Sequence, residues 1–235
     1  MRKMSIHCAF ALIAGLAACT GEAGPTALSF DLVARAGPDQ VVECVGNPAT
    51  PVTLDGSESD ADGNPLTLEW RGAFGTVTGT QPTVALPLGR HEVALTASDA
   101  FGGTSTDVVA IDVVDTRPPE INSVTAAPSS LWPPNHKMVP VVVTVNATDL
   151  CDRTPSARIV SVTSNEPVND IGDGNTEPDW RVTGPLTVEL RAERAGPLTG
   201  RIYTITVQCT DASGNESAMR EVIVTVPHDQ GKAGM

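Results

Sequence analysis

The chain has 235 residues, enough for one large domain or two small ones. Aromatic residues make up only 3% of it, while Gly and Pro number 21 and 19, so a thin aliphatic core is interrupted by many turns and long helices are disfavoured. The formal charge of -13, from 28 acidic against 15 basic residues, repels phosphate backbones and excludes nucleic acid as a partner.

The first seven residues carry Arg2 and Lys3, and residues 8–18 (CAFALIAGLAA) are apolar and uncharged. Eleven apolar residues are too few to span a bilayer as a helix but suit the hydrophobic region of an export signal. The run ends in Leu16-Ala17-Ala18-Cys19, which resembles the lipobox of bacterial lipoproteins. That resemblance implies a signal peptide over residues 1–18 and a lipid on Cys19, the new N-terminus. It further implies an exported protein anchored in a bacterial cell envelope. In a two-membrane bacterium the same resemblance implies sorting to the outer membrane or cell surface, because Thr20 is not Asp. An ordinary cleavable signal ending in small residues is the alternative. Residues 19–32, small and polar, read as a lipidated tether.

Beyond residue 33 the chain alternates apolar and polar residues in short runs broken by Gly, Asn, Asp and Pro. Residues 66–70 (LTLEW), 91–97 (HEVALTA) and 108–114 (VVAIDVV) show the pattern, with turn signals about every ten residues. The expected fold is all-β: two tandem immunoglobulin-like β-sandwiches. Two halves are visible in the repeat of residues 95–103 (LTASDAFGG) as residues 207–215 (VQCTDASGN), each turning through D-x-x-G into an apolar final strand. The boundary falls where Pro118-Pro119 stops a strand, giving domains at residues 33–117 and 118–227 and a tail at 228–235. Leu66, Leu68 and Trp70 share one strand face, which makes Trp70 a core residue.

Residues 54–66 (LDGSESDADGNPL), followed by Trp70 and preceded by residues 36–40 (AGPDQ), resemble a PKD-type domain, named for polycystic kidney disease protein. The resemblance fails after Trp70, where Arg71-Gly72-Ala73-Phe74-Gly75 replaces an acidic run. The second half resembles an extracellular Ig-type module that occurs beside such domains. Residues 131–137 (LWPPNHK), 164–168 (SNEPV) and 226–230 (VPHDQ) carry that likeness. These strings imply a module type and no activity.

No H-E-x-x-H, G-x-S-x-G, P-loop or dinucleotide fingerprint occurs, and one Tyr with three Trp gives little to line a catalytic groove. The chain therefore reads as non-catalytic, with no organic cofactor. Calcium is the inorganic partner that its acids suit, because hard cations need several oxygens from one loop or junction. Asp55, Asp60, Asp62 and Asp99 are the first candidate set. Asp149, Asp152 and Asp211 form a second, and Asp170, Asp173, Asn175, Glu177 and Asp179 crowd one loop. Asp and Asn also make turns unaided, which is the competing explanation for all three. Trp132, His136 and Lys137 form a candidate ligand-contact loop, against the plainer reading of Trp132 tucked under a Pro-braced turn. Cysteine gives the remaining expectation. Alternation puts Tyr203, Ile205, Val207 and Cys209 on one strand face, and Cys151 follows in phase beyond the facing strand. A Cys151–Cys209 bridge with Cys44 free is therefore expected, three reduced thiols being the alternative.

Together these features point to a non-catalytic surface lipoprotein that binds or adheres, to polysaccharide, matrix or an envelope protein. A structural spacer or assembly component is the alternative, as is the accessory subunit of a secreted hydrolase.

Overall fold

The computed structural model describes residues 31–169, 177–196 and 199–229, in which every regular element is a strand. Cys19, Asp170, Asp173 and Asn175 lie outside these residues.

Seven strands form a first sandwich: β1 (Gln40–Glu43), β2 (Thr50–Thr53), β3 (Leu66–Gly72), β4 (Gly75–Thr78), β5 (Thr83–Leu86), β6 (Gly89–Asp99) and β7 (Thr104–Val114). One sheet has the order β1-β7-β6-β3-β4 and the other is the pair β2-β5. β1 runs parallel to β7, with Gln40 opposite Ile111, and the other pairings are antiparallel. Period-two alternation puts Leu68 and Trp70 inward on β3, Val93, Leu95 and Ala97 on β6, and Val109, Ile111 and Val113 on β7. Trp70 is 0% exposed, as the sequence pattern requires, and its indole N–H donates to Gly79 O at 2.9 Å. Gly56 is the small residue that lets the ring in. A Cβ there would lie 3.0 Å from both Trp70 and Leu68.

Seven more strands form a second sandwich: β8 (Glu120–Ala127), β9 (Met138–Thr148), β10 (Ser156–Ser164), β11 (Trp180–Gly184), β12 (Thr187–Arg191), β13 (Gly200–Thr210) and β14 (Arg220–Pro227). Its sheets have the orders β11-β12-β9-β8 and β10-β13-β14, which is the four-plus-three arrangement of an immunoglobulin constant-type domain. Tyr203, Ile205, Val207 and Cys209 of β13, all 0% exposed, face Val141 and Val143 of β9 and Val188 and Leu190 of β12 in one apolar cluster.

The D-x-x-G repeat has the same geometry in both halves. Asp99 Oδ1 accepts the N–H groups of Phe101 and Gly103, and Asp211 Oδ1 accepts that of Asn215. Gly102 and Gly214 take φ of 88° and 91°, a region that suits glycine.

The cysteine expectation is overturned. Cys44, just past β1, is bonded to Cys151, and Cys209 is a free, buried thiol. The reason is local. Asp149 Oδ1 accepts the N–H groups of both Cys151 and Asp152 at 2.7 Å, an Asx turn that takes the chain out of phase with β9. Cys151 therefore leaves its own sandwich and packs in the core cluster of the first, alongside Cys44. Cys44 does lack a partner in its own half, but the partner comes from the other one. Burial raises the thiol pKa of Cys209, which keeps it protonated and unreactive.

The seam around this bond is hydrogen-bonded as well. Asn47 Nδ2 donates to Cys151 O at 2.8 Å, Asn215 Nδ2 to Asp115 O at 3.0 Å, and Thr116 N and Oγ1 to the two Glu43 oxygens at 3.0 Å. The two Thr116 bonds, the backbone N–H first, hold the carboxyl of Glu43 below its usual range, and the charge of Arg117 adds to the lowering.

Candidate functional site

The segment after β8 runs beside β14. Leu131 N donates to Thr225 O at 2.8 Å, and Thr225 N donates to Ser129 O at 3.0 Å. This pairing drives Leu131 into the core at 2% exposure and turns its neighbour Trp132 outward, where it is 45% exposed. The plainer expectation of a tucked Trp132 is not what the structure shows. With Pro128, Pro133, Met138 and Pro140, it lines an open groove of about 320 Å³ that also includes Lys137.

The floor of this loop is fixed by hydrogen bonds to its backbone. Asn135 Oδ1 accepts the Lys137 N–H at 3.2 Å, and His136, at φ 60°, donates its own N–H to Ala192 O at 2.9 Å. Ala192 N in turn donates to Lys137 O at 2.9 Å, and Arg191 Nη1 donates to His136 O at 3.0 Å. The His136 ring lies 3.3 Å from Glu193 Oε2 through Nδ1. Trp132, His136 and Lys137 are thus on one braced surface. His136 is half-exposed and tied to the interior, while Trp132 and Lys137 share the groove.

Behind His136 lies a buried ionic cluster that the sequence reading missed. Arg201 is 0% exposed and sits among Glu166, Asp179 and Glu193, which are 3%, 1% and 0% exposed. Its Nε donates to Glu166 Oε2 at 3.3 Å, its Nη2 to Pro167 O at 3.0 Å, and its Nη1 to Asp179 Oδ2. Glu193 Oε1 is 3.8 Å from Nη1. Tyr203, two residues along the same strand face, donates to Arg191 O at 2.8 Å, and burial pushes its hydroxyl pKa up to about 12. Ala195 N donates to Glu166 Oε2 at 2.7 Å. One arginine thereby ties four separate stretches of chain together at the end of the sandwich. A signal for it was present: the inward phase of Tyr203, Ile205 and Val207, extended back by two, arrives at Arg201.

The acids of the first candidate calcium set do not converge. Asp55 Oδ1 accepts Ser57 N, Asp62 Oδ2 accepts Asp31 N, and Asp99 Oδ1 caps its own turn. Asp60 pairs through its backbone with Val33. No three of Asp55, Asp60, Asp62 and Asp99 bring carboxylate oxygens within 4.8 Å, so turn formation accounts for this set. In the second set Asp152 caps Thr154 and Ala212, and Asp211 holds Asn215 through both oxygens.

Asp115, which was not singled out from the sequence, lies beside Asp149 at the seam. It is a buried carboxylate whose Oδ1 accepts Arg117 N at 3.2 Å. Burial raises its pKa, and the charges of Asp149, Asp211 and Glu43 add to the rise, against the lowering bond from Arg117 N–H.

No protein-family model and no curated protein sequence matches the chain. Solved structures that the chain is similar to include the fibronectin(III)-like modules of Clostridium thermocellum CbhA. They are 15% identical at a TM-score of 0.29, over 81% of this chain and 90% of that one. Sidekick-1 immunoglobulin domains 1–4 are 12% identical at a TM-score of 0.38, and protocadherin gamma B2 cadherin domains 3–6 are 12% identical at 0.37. The chain covers 47% and 46% of the lengths of these two. The sandwich assignment itself rests on the strand orders given above.

Proposed function

We propose that this is a non-catalytic, exported binding protein that presents the Trp132 groove of its second sandwich to a polysaccharide or to another envelope protein. The observation that carries this reading is an exposed Trp beside a Lys on a loop whose backbone is already fixed. A rigid aromatic face with an adjacent cation is low in ordering cost, and Trp is enriched among the residues that dominate contacts. The PKD-type likeness of the first half and the lipobox ending at Cys19 support a surface location. A disulfide such as Cys44–Cys151 persists in oxidising compartments, in keeping with export. In this reading Cys19 carries the lipid, and multiple acyl chains give stable anchorage.

The test is binding to a glycan array and capture of envelope proteins, wild type against Trp132→Ala and Lys137→Ala. Binding that falls at least tenfold in Trp132→Ala, with an unchanged melting temperature, is the expected result. Full binding by that variant sinks the groove. A Cys19→Ser variant should lose acyl labelling and be released from the membrane fraction.

The seam disulfide favours a second reading, a spacer in which the sandwiches add reach. In that case neither groove variant changes any interaction, and removing a whole sandwich changes only the distance spanned.

A further inference from the structure

Among the described residues, one group of three metal-ligating side chains brings donor atoms within 4.8 Å of one another: Asp115, Asp149 and Cys151. Cys151 spends its sulfur on Cys44, which leaves two carboxylates facing each other beside the disulfide. Asp115 follows β7 directly and is 9% exposed. Its Oδ2 has no hydrogen-bond donor and is shut off from solvent. Asp149 spends Oδ1 on its own turn. Asp211 and Glu43 are near enough to act on Asp115 by their charge. The nearby basic side chain, Arg117, is directed to Glu43 Oε1 at 4.0 Å, and no described Lys or Arg pairs with Asp115 or Asp149. A buried carboxylate oxygen without a donor, in a nest of like charges, is unfavourable unless a cation completes it. The groups left on offer are carboxylate oxygens, which selects a hard ion such as calcium.

We propose that Asp115 and Asp149 ligate a calcium ion at the seam between the two sandwiches, with Asp211 and Glu43 supplying surrounding negative charge. Water completes the coordination shell. Since Asp115 follows the last strand of one sandwich and Asp149 follows the second strand of the other, the ion clamps the same joint that the disulfide closes. Binding the folded seam but not the unfolded chain, it stabilises by mass action.

The experiment uses the full chain, stripped with chelator and then titrated with calcium, read by melting temperature and by calorimetric stoichiometry. One ion per chain and a rise of several degrees are expected for the wild type. Asp115→Asn should melt at or above the stripped wild type, because a repelling charge is gone, and should lose the calcium response. Asp149→Asn should weaken affinity at least tenfold. It serves as the deciding variant if Asp115→Asn fails to fold. Asp60→Asn with Asp62→Asn should respond like wild type. A calcium shift that persists in both seam variants, or no shift in the wild type, overturns the proposal. So does stability of the wild type that answers to pH and never to calcium, which would mean that the two carboxylates share a proton instead.

Discussion

The guanidinium of Arg201 meets the carboxylate of Glu166 at 3.3 Å, with neither side chain exposed to solvent. Removing one partner from such a pair leaves the other charge buried and uncompensated, at a cost of about 3–5 kcal/mol. Arg201 meets three buried carboxylates, of which Glu193 is also met by His136 and Arg191, so Arg201→Met is expected toward the upper end of that range. Denaturant unfolding measures it. Arg201→Lys should rescue only part of the loss, since one ammonium cannot serve Nε, Nη1 and Nη2 contacts in separate directions. Stability within 1 kcal/mol of wild type in Arg201→Met would show that the cluster contributes little.

The covalent link between the halves has a sharper signature. A protease site introduced at residues 116–118 should yield two fragments that stay together on a non-reducing gel and separate on reduction. Peptide mapping should recover Cys44 joined to Cys151, and Cys209 unalkylated until the protein is denatured. A disulfide closing a separation of 107 residues contributes about 4.7 kcal/mol in the chain-entropy picture. Cys44→Ser should accordingly lower the melting temperature by roughly 10 °C or more.

Tyr203 is the single tyrosine of the chain, so its ionisation can be followed without interference in the ultraviolet tyrosinate band. Burial is the main cause of its raised pKa; Asp179 and Glu193 add to it, and Arg201 opposes them. The folded state holds the proton up to about pH 12 while the unfolded chain releases it near 10.0. The stability contributed by the neutral phenol is therefore complete below pH 10.0 and is lost as pH rises toward 12. Tyr203→Phe should remove this alkaline loss while forfeiting the bond to Arg191 O.

Gly200 opens β13 with φ 121°, and a Cβ there would lie 2.8 Å from the backbone oxygen of Val226. Both the backbone conformation and the contact exclude a side chain. Gly200→Ala should cost about 2 kcal/mol or more and weaken the pairing of Gly200 with Pro227. Gly63, also at positive φ but with nothing near its Cβ position, isolates the backbone contribution when changed to Ala.

Alternation made the strands, the two-sandwich build and the burial of Trp70 legible, because inward and outward phase is a property of each strand alone. The D-x-x-G turns at Asp99 and Asp211 were legible for the same reason: the carboxylate bonds to its own turn. The Cys151 pairing was not, since phase ceases to hold once Asp149 turns the chain, and the partner lies across a seam that no local pattern encodes. Arg201 was hidden by its charge. It occupies a core position that alternation marks, but a charged residue is assigned outward unless its three carboxylate partners, from distant loops, are known. Asp115 was passed over likewise, as a boundary residue between the last strand and a proline linker. Trp132 could be placed on a loop, but its exposure depends on Leu131 pairing with β14.

The position of the sulfur bridge also sets how the molecule carries tension. A pull between the two ends enters at β1, crosses from Cys44 to Cys151 and passes on into the second sandwich. The intervening residues, which include most of the first sandwich and the Pro118-Pro119 joint, are shunted out of the load path. Extended, they would span roughly 360 Å, and that slack stays locked in until a covalent bond is reduced. Against steady force the first sandwich therefore behaves as an inextensible link, and a local reductant becomes the agent that lets it pay out.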